Sequence, residues 1–246
     1  PQLYKQILMV AGYDRYIQVA RCFRDEDLRA GRQPEFTQLD LEISFVDADH
    51  LMGIIDGLMK HLAKSILNID LQLPLERMTY DEAMSRFGHD APDLRYGCEL
   101  VDCTDIAATV DFRVFRETAD SGKKVRGIRA PGGASFYSRK LIDGLTEFGK
   151  QFEAKGLAWF RGEPDGKRWS PVSKNFTEEQ LGRVKERMGG QPGDILFFVA
   201  DTWAVSCKAL HNLRKKVGVD LKLCDPKSMS FSWIVEFPMF EFDAEE

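Results

Sequence analysis

Hydrophobic and polar residues alternate along two nearby stretches of the N-terminal part of the chain. Residues 15–26 alternate, and in residues 36–45 the apolar side chains share one face while the other face carries Phe36, Gln38, Asp40, Glu42 and Ser44. Alternation predicts β-strands, because successive side chains of a strand point to opposite faces. Residues 27–35 lie between the strands and contain Gly31 and Pro34. The pattern therefore predicts a hairpin with a long loop.

Other segments carry apolar residues at helical or strand spacing. Helices are predicted over residues 1–11, 49–67, 79–87, 138–155, 177 onward and 202–217, two of them opened by the capping sequences TYDE and TEEQ. Strands are predicted within residues 156–176, joined at a PDG turn, and over residues 194–201 and 230–240. The segment from about residue 94 to residue 226 has helices and strands of its own. We therefore predict that it is a separate α+β unit between residues 1–93 and a return strand in 227–246.

Composition places the chain among soluble globular proteins. It has 246 residues, 43% hydrophobic and 30% charged, with a formal net charge of -5. No stretch approaches the roughly 20 apolar residues of a membrane span, so no membrane partner is predicted. The mild acidity allows nucleic acid as a partner only through a local basic patch.

The five cysteines, an odd number, are predicted to be reduced thiols of a cytoplasmic protein. Cys98 and Cys103 could begin a zinc site, and Cys207 with His211 could be a ligand pair on a helix. Neither pair has further ligands nearby in sequence. We therefore interpret both as ordinary side chains and predict no metal site in the protein.

The mixed face of the hairpin carries residues suited to a nucleotide and an amino acid. Arg24 can bind phosphate and stabilise charge that develops during nucleotidyl transfer, and Phe36 offers a ring face to a purine. Asp40 can take an ammonium group, and Gln33 can contact an adenine edge. The ordinary alternative is a solvated sheet face with cross-strand ion pairs. Phe36 weighs against it, because a large aromatic residue on a polar face needs a cover, either a ligand or a neighbouring helix.

These residues stand in segments that resemble a known family. FRDEDLRAGRQPEFTQLDLEIS (residues 23–44) closely resembles motif 2 of the class II aminoacyl-tRNA synthetases in its aspartyl version. PQLYKQ resembles that family's amino-acid-binding segment, and MTYDEAM, DAPDLR and FPMFE are similar to further stretches of the bacterial aspartyl enzymes. GIRAPGG, SPVSKNF and LRKKVGVDL resemble their inserted domain, named GAD, which also occurs in a subunit of tRNA-dependent amidotransferases. The matches are collinear along the chain, although Ala91 stands where a lysine is usual.

The resemblance implies an α+β fold: part of an antiparallel class II catalytic sheet with helices in residues 1–93, an inserted GAD domain in 94–226 and a return strand in 227–246. It also implies a ligase reaction in two steps. ATP and L-aspartate give aspartyl-adenylate and pyrophosphate, and the aspartyl group then passes to the 3′ end of tRNA(Asp). Positioning and charge stabilisation suffice for such a reaction, so no nucleophilic residue is expected. Mg²⁺ is expected with ATP, and the intact enzyme is expected to be a homodimer.

The resemblance also assigns roles to residues of this sequence. It places ATP against Arg24, Asp25, Glu26, Gln33 and Phe36, and aspartate against Gln2, Lys5, Arg24, Gln38 and Asp40. Arg24 is the implied catalytic residue, in contact with the α-phosphate and the substrate carboxylate, and Phe36 stacks on adenine. Lys5 pairs with the side-chain carboxylate of aspartate, and Asp40 holds its ammonium group.

The chain begins at Pro1 and ends in EFDAEE, and we interpret it as a central fragment. The family's motif 1 is expected before residue 1 and its motif 3 after residue 246, so the chain alone is expected to be inactive. One alternative is a synthetase for asparagine or lysine; those enzymes lack the insertion, and QLDLE with Lys5 favours an acidic substrate. A second is a non-catalytic tRNA-binding paralogue or amidotransferase-like module, which leaves the surface around Arg24 and Phe36 without a purpose.

The remaining conspicuous residues are interpreted structurally. Trp159, Trp169, Trp203 and Trp233 are predicted to pack in the core or in hairpins. The basic run Arg214, Lys215 and Lys216 could contact RNA phosphates but is predicted to be a solvated helix face.

Overall fold

The computed structural model of the protein describes residues 2–25, 27, 32–162 and 168–240. The chain divides into two compact units, Pro1–Leu75 and Glu76–Glu246. Both units combine helices with strands, and the one described sheet of more than two strands is antiparallel, so the predicted α+β class is confirmed. The predicted domain boundaries near residues 94 and 226 stay predictions.

The first unit is a helix, a hairpin and a second helix. Its elements are α1 (Gln2–Val10), β1 (Arg15–Phe23), β2 (Glu35–Ile43) and α2 (Ala48–Leu62), which continues as a π-helical turn over Ala63–Leu67. Helix α2 begins after Asp47, whose side chain accepts a hydrogen bond of 2.8 Å from the backbone N–H of His50. The predicted helices and both strands are confirmed here, while residues 28–31 of the predicted loop, and residue 26 at the predicted end of the first strand, lie outside the described residues.

One face of this hairpin is apolar and exposed to solvent. The exposed fractions are 67% for Ile17, 72% for Val19, 68% for Phe23 and 44% for Leu39. Helix α1 lies on the opposite face, through contacts described below. The alternation therefore predicted correctly which side chains share each face. Within the described residues, however, the face covered by a helix is the one that mixes polar residues with Phe36, not the apolar one.

The second unit is built on a larger sheet. Its elements are β3 (Glu76–Thr79), α3 (Tyr80–Phe87), β4 (Val101–Asp102), α4 (Thr104–Ala107), α5 (Arg113–Asp120), β5 (Lys124–Ala130), α6 (Gly133–Phe136), α7 (Arg139–Lys150), β6 (Ala158–Gly162), β7 (Arg168–Trp169), a 3₁₀ turn (Ser173–Asn175), α8 (Glu178–Arg187), β8 (Ile195–Asp201), α9 (Trp203–Asp220) and β9 (Ser232–Val235).

Within the described part of this unit, β4, β5, β8, β6 and β7 form an antiparallel sheet in that order. Each face of the sheet has its own apolar core. Helices α7 and α9 supply Leu145 and Leu210 to one core, where Phe197 of β8 points. Helix α8 and the segment around α5 pack on the other, against Phe198. The sheet is thus enclosed by helices on both sides, as expected for a strand as uniformly apolar as β8.

Strand β9 returns to a strand that precedes this sheet in sequence. It pairs in parallel with β3, so that Ser232 lies opposite Glu76 and Val235 opposite Thr79. The side chains of Met78 and Ile234 share a small core with Phe87 of α3. The predicted C-terminal strand is therefore confirmed, and its partner lies N-terminal to residue 94.

Most of the other predicted local signals are also confirmed. Thr79 caps α3 by accepting from the N–H of Glu82 at 3.1 Å, and Thr177 with Gln180 forms a reciprocal capping box at the start of α8. The predicted helix over 138–155 ends earlier, at Lys150, and the helix predicted over 202–217 extends to Asp220. The PDG turn predicted between β6 and β7 lies outside the described residues.

Two buried arginines attach α3 and the following loop to α9 and β5. The Arg214 guanidinium donates to the carbonyls of Asp93 (2.6 Å) and Tyr96 (2.9 Å), and its Cζ lies 4.8 Å from the ring centroid of Phe87. Arg126 donates to the carbonyl of Ser85 at the end of α3. The predicted solvated face is therefore wrong for Arg214, which is fully buried because carbonyl oxygens and aromatic rings replace water around its charge.

The five cysteines are free thiols, as predicted, whereas the tryptophan prediction is confirmed for Trp159 but wrong for Trp203, which is 40% exposed with its ring centroid 4.2 Å from the Cζ of Arg126. Cys98 and Cys103 are buried free thiols, and burial raises the pKa of Cys98 to about 11 and that of Cys103 to about 12. Trp159 is buried in the core, and the side chain of Trp169 is not described. No helix within the described residues is long and apolar enough to span a bilayer.

Candidate functional site

The hairpin of the first unit places the predicted site residues on one face. Strands β1 and β2 pair antiparallel in a register that sets Cys22 opposite Phe36, Ala20 opposite Gln38 and Gln18 opposite Asp40. The N–H of Arg24 donates to the carbonyl of Pro34 at 2.8 Å, which continues the pairing beyond the end of β1. Because side chains alternate along a strand, Phe36, Gln38 and Asp40 form a row on the same side of the hairpin.

At the loop end of this row, Arg24 lies beside Phe36. Its Cζ atom is 5.0 Å from the centroid of the Phe36 ring, within cation–π range. Phe36 is half-buried, whereas Arg24 and Asp25 are exposed. Arg24 forms no ion pair with another described residue. No described acidic side chain therefore competes with an anion for the N–H donors of this guanidinium, which lies beside a flat aromatic surface.

Further along the row, helix α1 brings Lys5 onto β2. The Lys5 Nζ lies 2.8 Å from Asp40 Oδ1 and 2.8 Å from Glu42 Oε1. The side chains of Lys5 and Asp40 are only 14% and 15% exposed, whereas that of Glu42 is 36% exposed. Hydrogen bonds to Asp40 and then to Glu42 raise the pKa of Lys5 above its ordinary value, so the ammonium stays charged.

Local hydrogen bonds fix the helix over the strand. Gly12 has a φ of +91°, which a side chain would disfavour, and it reverses the chain between α1 and β1. The N–H of Ser44 donates to the carbonyl of Asp14 at 2.9 Å, and its hydroxyl donates to the sulfur of Met9 at 3.3 Å. Helix α1 is therefore attached to the far end of β2. This attachment explains how residues so distant in sequence as Lys5 and Asp40 meet.

The other predicted residues take less constrained positions. Gln38 Oε1 accepts a weak hydrogen bond from the Cys22 thiol at 3.8 Å. Gln2 is exposed and lines a cavity of about 360 Å³ with Lys5, Gln6, Met9, Val10 and Glu42. Gln33 is exposed, and Glu26 lies outside the described residues. Arg24 with Phe36 and Lys5 with Asp40 are thus brought together, and Gln38 lies between the two pairs.

The alternating sequence pattern places Glu42 on the mixed face of the hairpin but indicates no role for it. The structure joins it to Lys5 as closely as Asp40 is joined. Its position two residues beyond Asp40 was a usable signal, because residues i and i+2 of a strand share a face. What the pattern did not reveal was the position of the helix predicted over residues 1–11, from which Lys5 reaches both carboxylates.

Acidic and histidine side chains do not gather into a metal cage in the described part of the chain: no three His, Cys, Asp or Glu side chains are arranged to hold an ion. Cys207 and His211 have other partners. The Cys207 sulfur lies 3.0 Å from Arg126 Nη1, and the His211 ring stacks on that of His89 with centroids 4.3 Å apart.

The row as a whole offers a cation beside an aromatic ring at one end and an ammonium between two carboxylates at the other. Such a surface suits a ligand that carries an anionic group, a flat ring and an amino-acid zwitterion. Each of these groups has a partner of opposite charge or matching shape along β2, at the end of β1 or on helix α1.

Comparison with known proteins identifies relatives along the whole chain. Residues 1–245 match the family described as tRNA synthetases class II (D, K and N). An Aspartate--tRNA(Asp/Asn) ligase of Rhodopirellula baltica is 63% identical over 246 residues, which are all of this chain and 42% of that protein. A protein of the same name from Persephonella marina is 51% identical, with all of this chain and 40% of that protein covered. An Aspartate--tRNA ligase of Clostridium perfringens is 48% identical over 247 residues, with 41% of it covered. The chain thus spans about two fifths of the length of these curated relatives.

Proposed function

The chain belongs to the class II tRNA synthetases of the D, K and N group, and from this premise we propose that the protein carrying it activates L-aspartate with ATP and transfers the aspartyl group to tRNA(Asp). Within the group, aspartate is favoured by the names of relatives at 48% to 63% identity. The observation that carries the proposal is the row on β2. Arg24 with Phe36 and Lys5 with Asp40 occupy one face, at the two ends that a joined nucleotide and amino acid require.

At the nucleotide end, Phe36 stacks on adenine and Arg24 binds the α-phosphate. The carboxylate of aspartate attacks the α-phosphorus, and the bond to pyrophosphate breaks. Negative charge on the phosphate oxygens increases in the transition state, and a fixed guanidinium stabilises it. Asp25, Glu26 and Gln33 complete this side of the proposed site, with Gln33 near the adenine edge.

At the amino-acid end, Asp40 binds the substrate ammonium and Lys5 binds the side-chain carboxylate. Gln2 and Gln38 supply neutral donors and acceptors around the same ligand. Lysine and asparagine are disfavoured because neither carries a side-chain anion for Lys5. Holding the substrate at both ends converts the first step into a reaction between positioned groups, which is a large source of rate enhancement.

In the second step a ribose hydroxyl at the 3′ end of the tRNA attacks the acyl carbon, and AMP leaves. Mg²⁺ is proposed to accompany ATP. Mg²⁺ bound to substrate phosphates needs only one or two protein carboxylates, so the proposal requires no cage of several acidic residues.

We further propose that residues 94–226 are the inserted GAD domain of a cytoplasmic, homodimeric enzyme. The pairing of β9 with β3 supports an insertion, because it joins the segments on either side of residues 94–226. The alternative of a non-catalytic tRNA-binding module finds less support, because it gives no role to the Arg24–Phe36 and Lys5–Asp40 pairs.

Aspartate-dependent exchange between pyrophosphate and ATP tests this function. The full-length protein carrying this sequence should catalyse exchange with L-aspartate and not with L-lysine or L-asparagine. It should then charge tRNA(Asp), and parallel assays with tRNA(Asn) measure its tRNA selectivity. Exchange with lysine or asparagine instead of aspartate, or no exchange by the folded protein with any amino acid, would refute the proposal.

A further inference from the structure

The Lys5 ammonium is shared between two carboxylates, only one of which has a role in the proposed function. Asp40 and Glu42 each lie 2.8 Å from Lys5 Nζ, and they are neighbours on the same face of β2. Two acidic groups on one lysine give this cluster a net charge of -1. A site for an acidic amino acid would not gain affinity from a surplus of negative charge, so Glu42 needs another explanation.

The order of residues along the strand provides it. From the loop end, the row on β2 runs Phe36, Gln38, Asp40 and then Glu42, with about 6.6 Å between consecutive members. Arg24 contacts Phe36 at the first end of the row. Glu42 is therefore farther than Asp40 from the proposed nucleotide site, and it contacts the Lys5 ammonium from the side away from that site.

The number of N–H donors on Lys5 also distinguishes the role of Glu42 from that of Asp40. A lysine ammonium has three N–H donors, and Asp40 and Glu42 engage two of them. If Asp40 turns to the ammonium of the substrate, only Glu42 still restrains Lys5. An unrestrained lysine side chain has many rotamers and loses their entropy when it binds a ligand.

We propose that Glu42 is a positioning residue: it anchors the Lys5 ammonium from the side away from the nucleotide, so that Lys5 can bind the side-chain carboxylate of aspartate while Asp40 binds the ammonium group. The inference rests on the proposed function. It adds a residue that contacts no substrate and acts through Lys5.

Steady-state exchange kinetics of the full-length protein test the role. Glu42→Ala should raise KM for aspartate about tenfold, the effect of losing one charged hydrogen bond, with KM for ATP and kcat changed less than about threefold. Glu42→Gln keeps an acceptor oxygen and should restore most of the affinity. Glu35→Ala is the matched control, because Glu35 is a glutamate of the same strand that pairs with Arg21 on the opposite face.

The opposite results are equally informative. A lower KM for aspartate in Glu42→Ala would show that Glu42 competes with the substrate carboxylate. An unchanged KM, or equal losses for aspartate and ATP together with a lower melting temperature, would show no positioning role. Each of these outcomes overturns the inference.

A second measurement separates this inference from the proposed function. Acylation of lysines in the folded 246-residue chain, followed by mass spectrometry, reports how accessible Lys5 is without any catalysis. Glu42→Ala should accelerate the labelling of Lys5 several-fold and leave Lys64, which pairs with Asp70, unchanged. Unchanged Lys5 labelling in a protein that does exchange pyrophosphate refutes only the anchoring. Faster labelling in a protein without aspartate-dependent exchange refutes the proposed function and, with it, the role in aspartate binding.

Discussion

Arg24 differs from the other arginine near the end of strand β1. Both guanidinium groups lie over a ring, that of Phe23 for Arg21 and that of Phe36 for Arg24, but Arg21 also forms an ion pair with Glu35, whereas Arg24 forms none with another described residue. A guanidinium that contacts only a ring face can still donate its in-plane N–H groups, whereas in an ion pair some of these groups are already engaged. Of these two side chains, Arg24 is thus the one prepared to bind an anion.

Replacing Arg24 tests this distinction. Arg24→Ala in the full-length protein should lower aspartate-dependent pyrophosphate exchange by a factor of about 10² to 10³, because a lost charge-stabilising donor costs about 3–4 kcal/mol of transition-state stabilisation. The urea unfolding midpoint should not change, since the side chain is exposed. Arg21→Ala is the control and should keep nearly full activity. Exchange by Arg24→Ala within a few-fold of the unmodified protein would contradict the assignment.

His211 is a buried residue whose charge state matters for stability. It is 6% exposed, stacks on His89, and donates from Nδ1 to the carbonyl of Phe87, 3.3 Å away. Burial, followed by the nearby His89, lowers the pKa of His211 to about 4. The cations Lys215 and Arg214 act in the same direction. The folded protein therefore keeps this imidazole neutral in mildly acidic solution.

This difference predicts a pH dependence of stability. An unfolded histidine takes up a proton near pH 6.5, whereas His211 in the folded state does so near pH 4, so the unfolded state binds more protons between these values. The contribution is therefore complete above about pH 6.5 and is lost as the pH falls towards 4, by roughly 2–3 kcal/mol in total. Urea unfolding of the chain at pH 7, 6 and 5 measures the slope. His211→Gln should flatten it and the exposed control His50→Gln should not; equal slopes in all three proteins would disprove the effect.

At the scale of elements, the periodic sequence patterns predicted the strands and helices but not the positions that depend on contacts between elements. Alternation identified β1, β2 and the faces of their side chains, because a two-residue period is local information. It could not place α1 over Asp40 and Glu42, since that position depends on the reversal at Gly12 and on the bonds of Ser44. The candidate site was therefore predictable as a list of residues but not as the cluster of Lys5 with two carboxylates.

Arg214 is a second residue whose surroundings the sequence pattern could not predict. A run of three basic residues normally indicates solvent, but on α9 Arg214 shares the buried side with Leu210 and Val217. The surface that receives it consists of backbone carbonyls and the rings of Phe87 and Tyr96. That surface exists only once α3 and its following loop have folded against α9, and no local pattern contains it.

The exposed apolar face of the hairpin predicts self-association of the 246-residue chain. Ile17 and Val19 are each more than 60% exposed, and neighbouring apolar side chains on an exposed strand face favour association with another molecule. Replacing both with threonine keeps the β-branched shape and adds hydroxyl groups. Sedimentation velocity should show concentration-dependent association of the unmodified chain and less of it in the double variant. Val114→Thr, an exposed position on helix α5, serves as the control. Association that persists in the double variant would assign it to another surface.

At the scale of the whole molecule, the division into units determines which fragments are stable. The second compact unit begins at Glu76, whereas the family resemblance places the start of the insertion near residue 94. The segment between them contains β3 and α3, and it provides the carbonyl of Ser85 to Arg126 and the ring of Phe87 to Arg214. Residues 94–226 retain the large sheet and both of its cores but lose these partners.

We therefore predict that a fragment of residues 76–240 is more stable than one of residues 94–226. Both should unfold cooperatively, because each keeps the enclosed sheet. The shorter fragment leaves the side chain of Arg126 without its carbonyl acceptor, and buried or half-buried donors without partners cost about 1–3 kcal/mol each. A difference of at least about 2 kcal/mol in the free energy of unfolding should follow, measurable by urea denaturation. Phe87→Ala in the longer fragment should reproduce part of the loss, whereas Arg95→Ala, at an exposed ion pair with Asp93, should reproduce little. Equal unfolding midpoints for the two fragments would show that α3 is only an appendage and that the folding unit begins near residue 94.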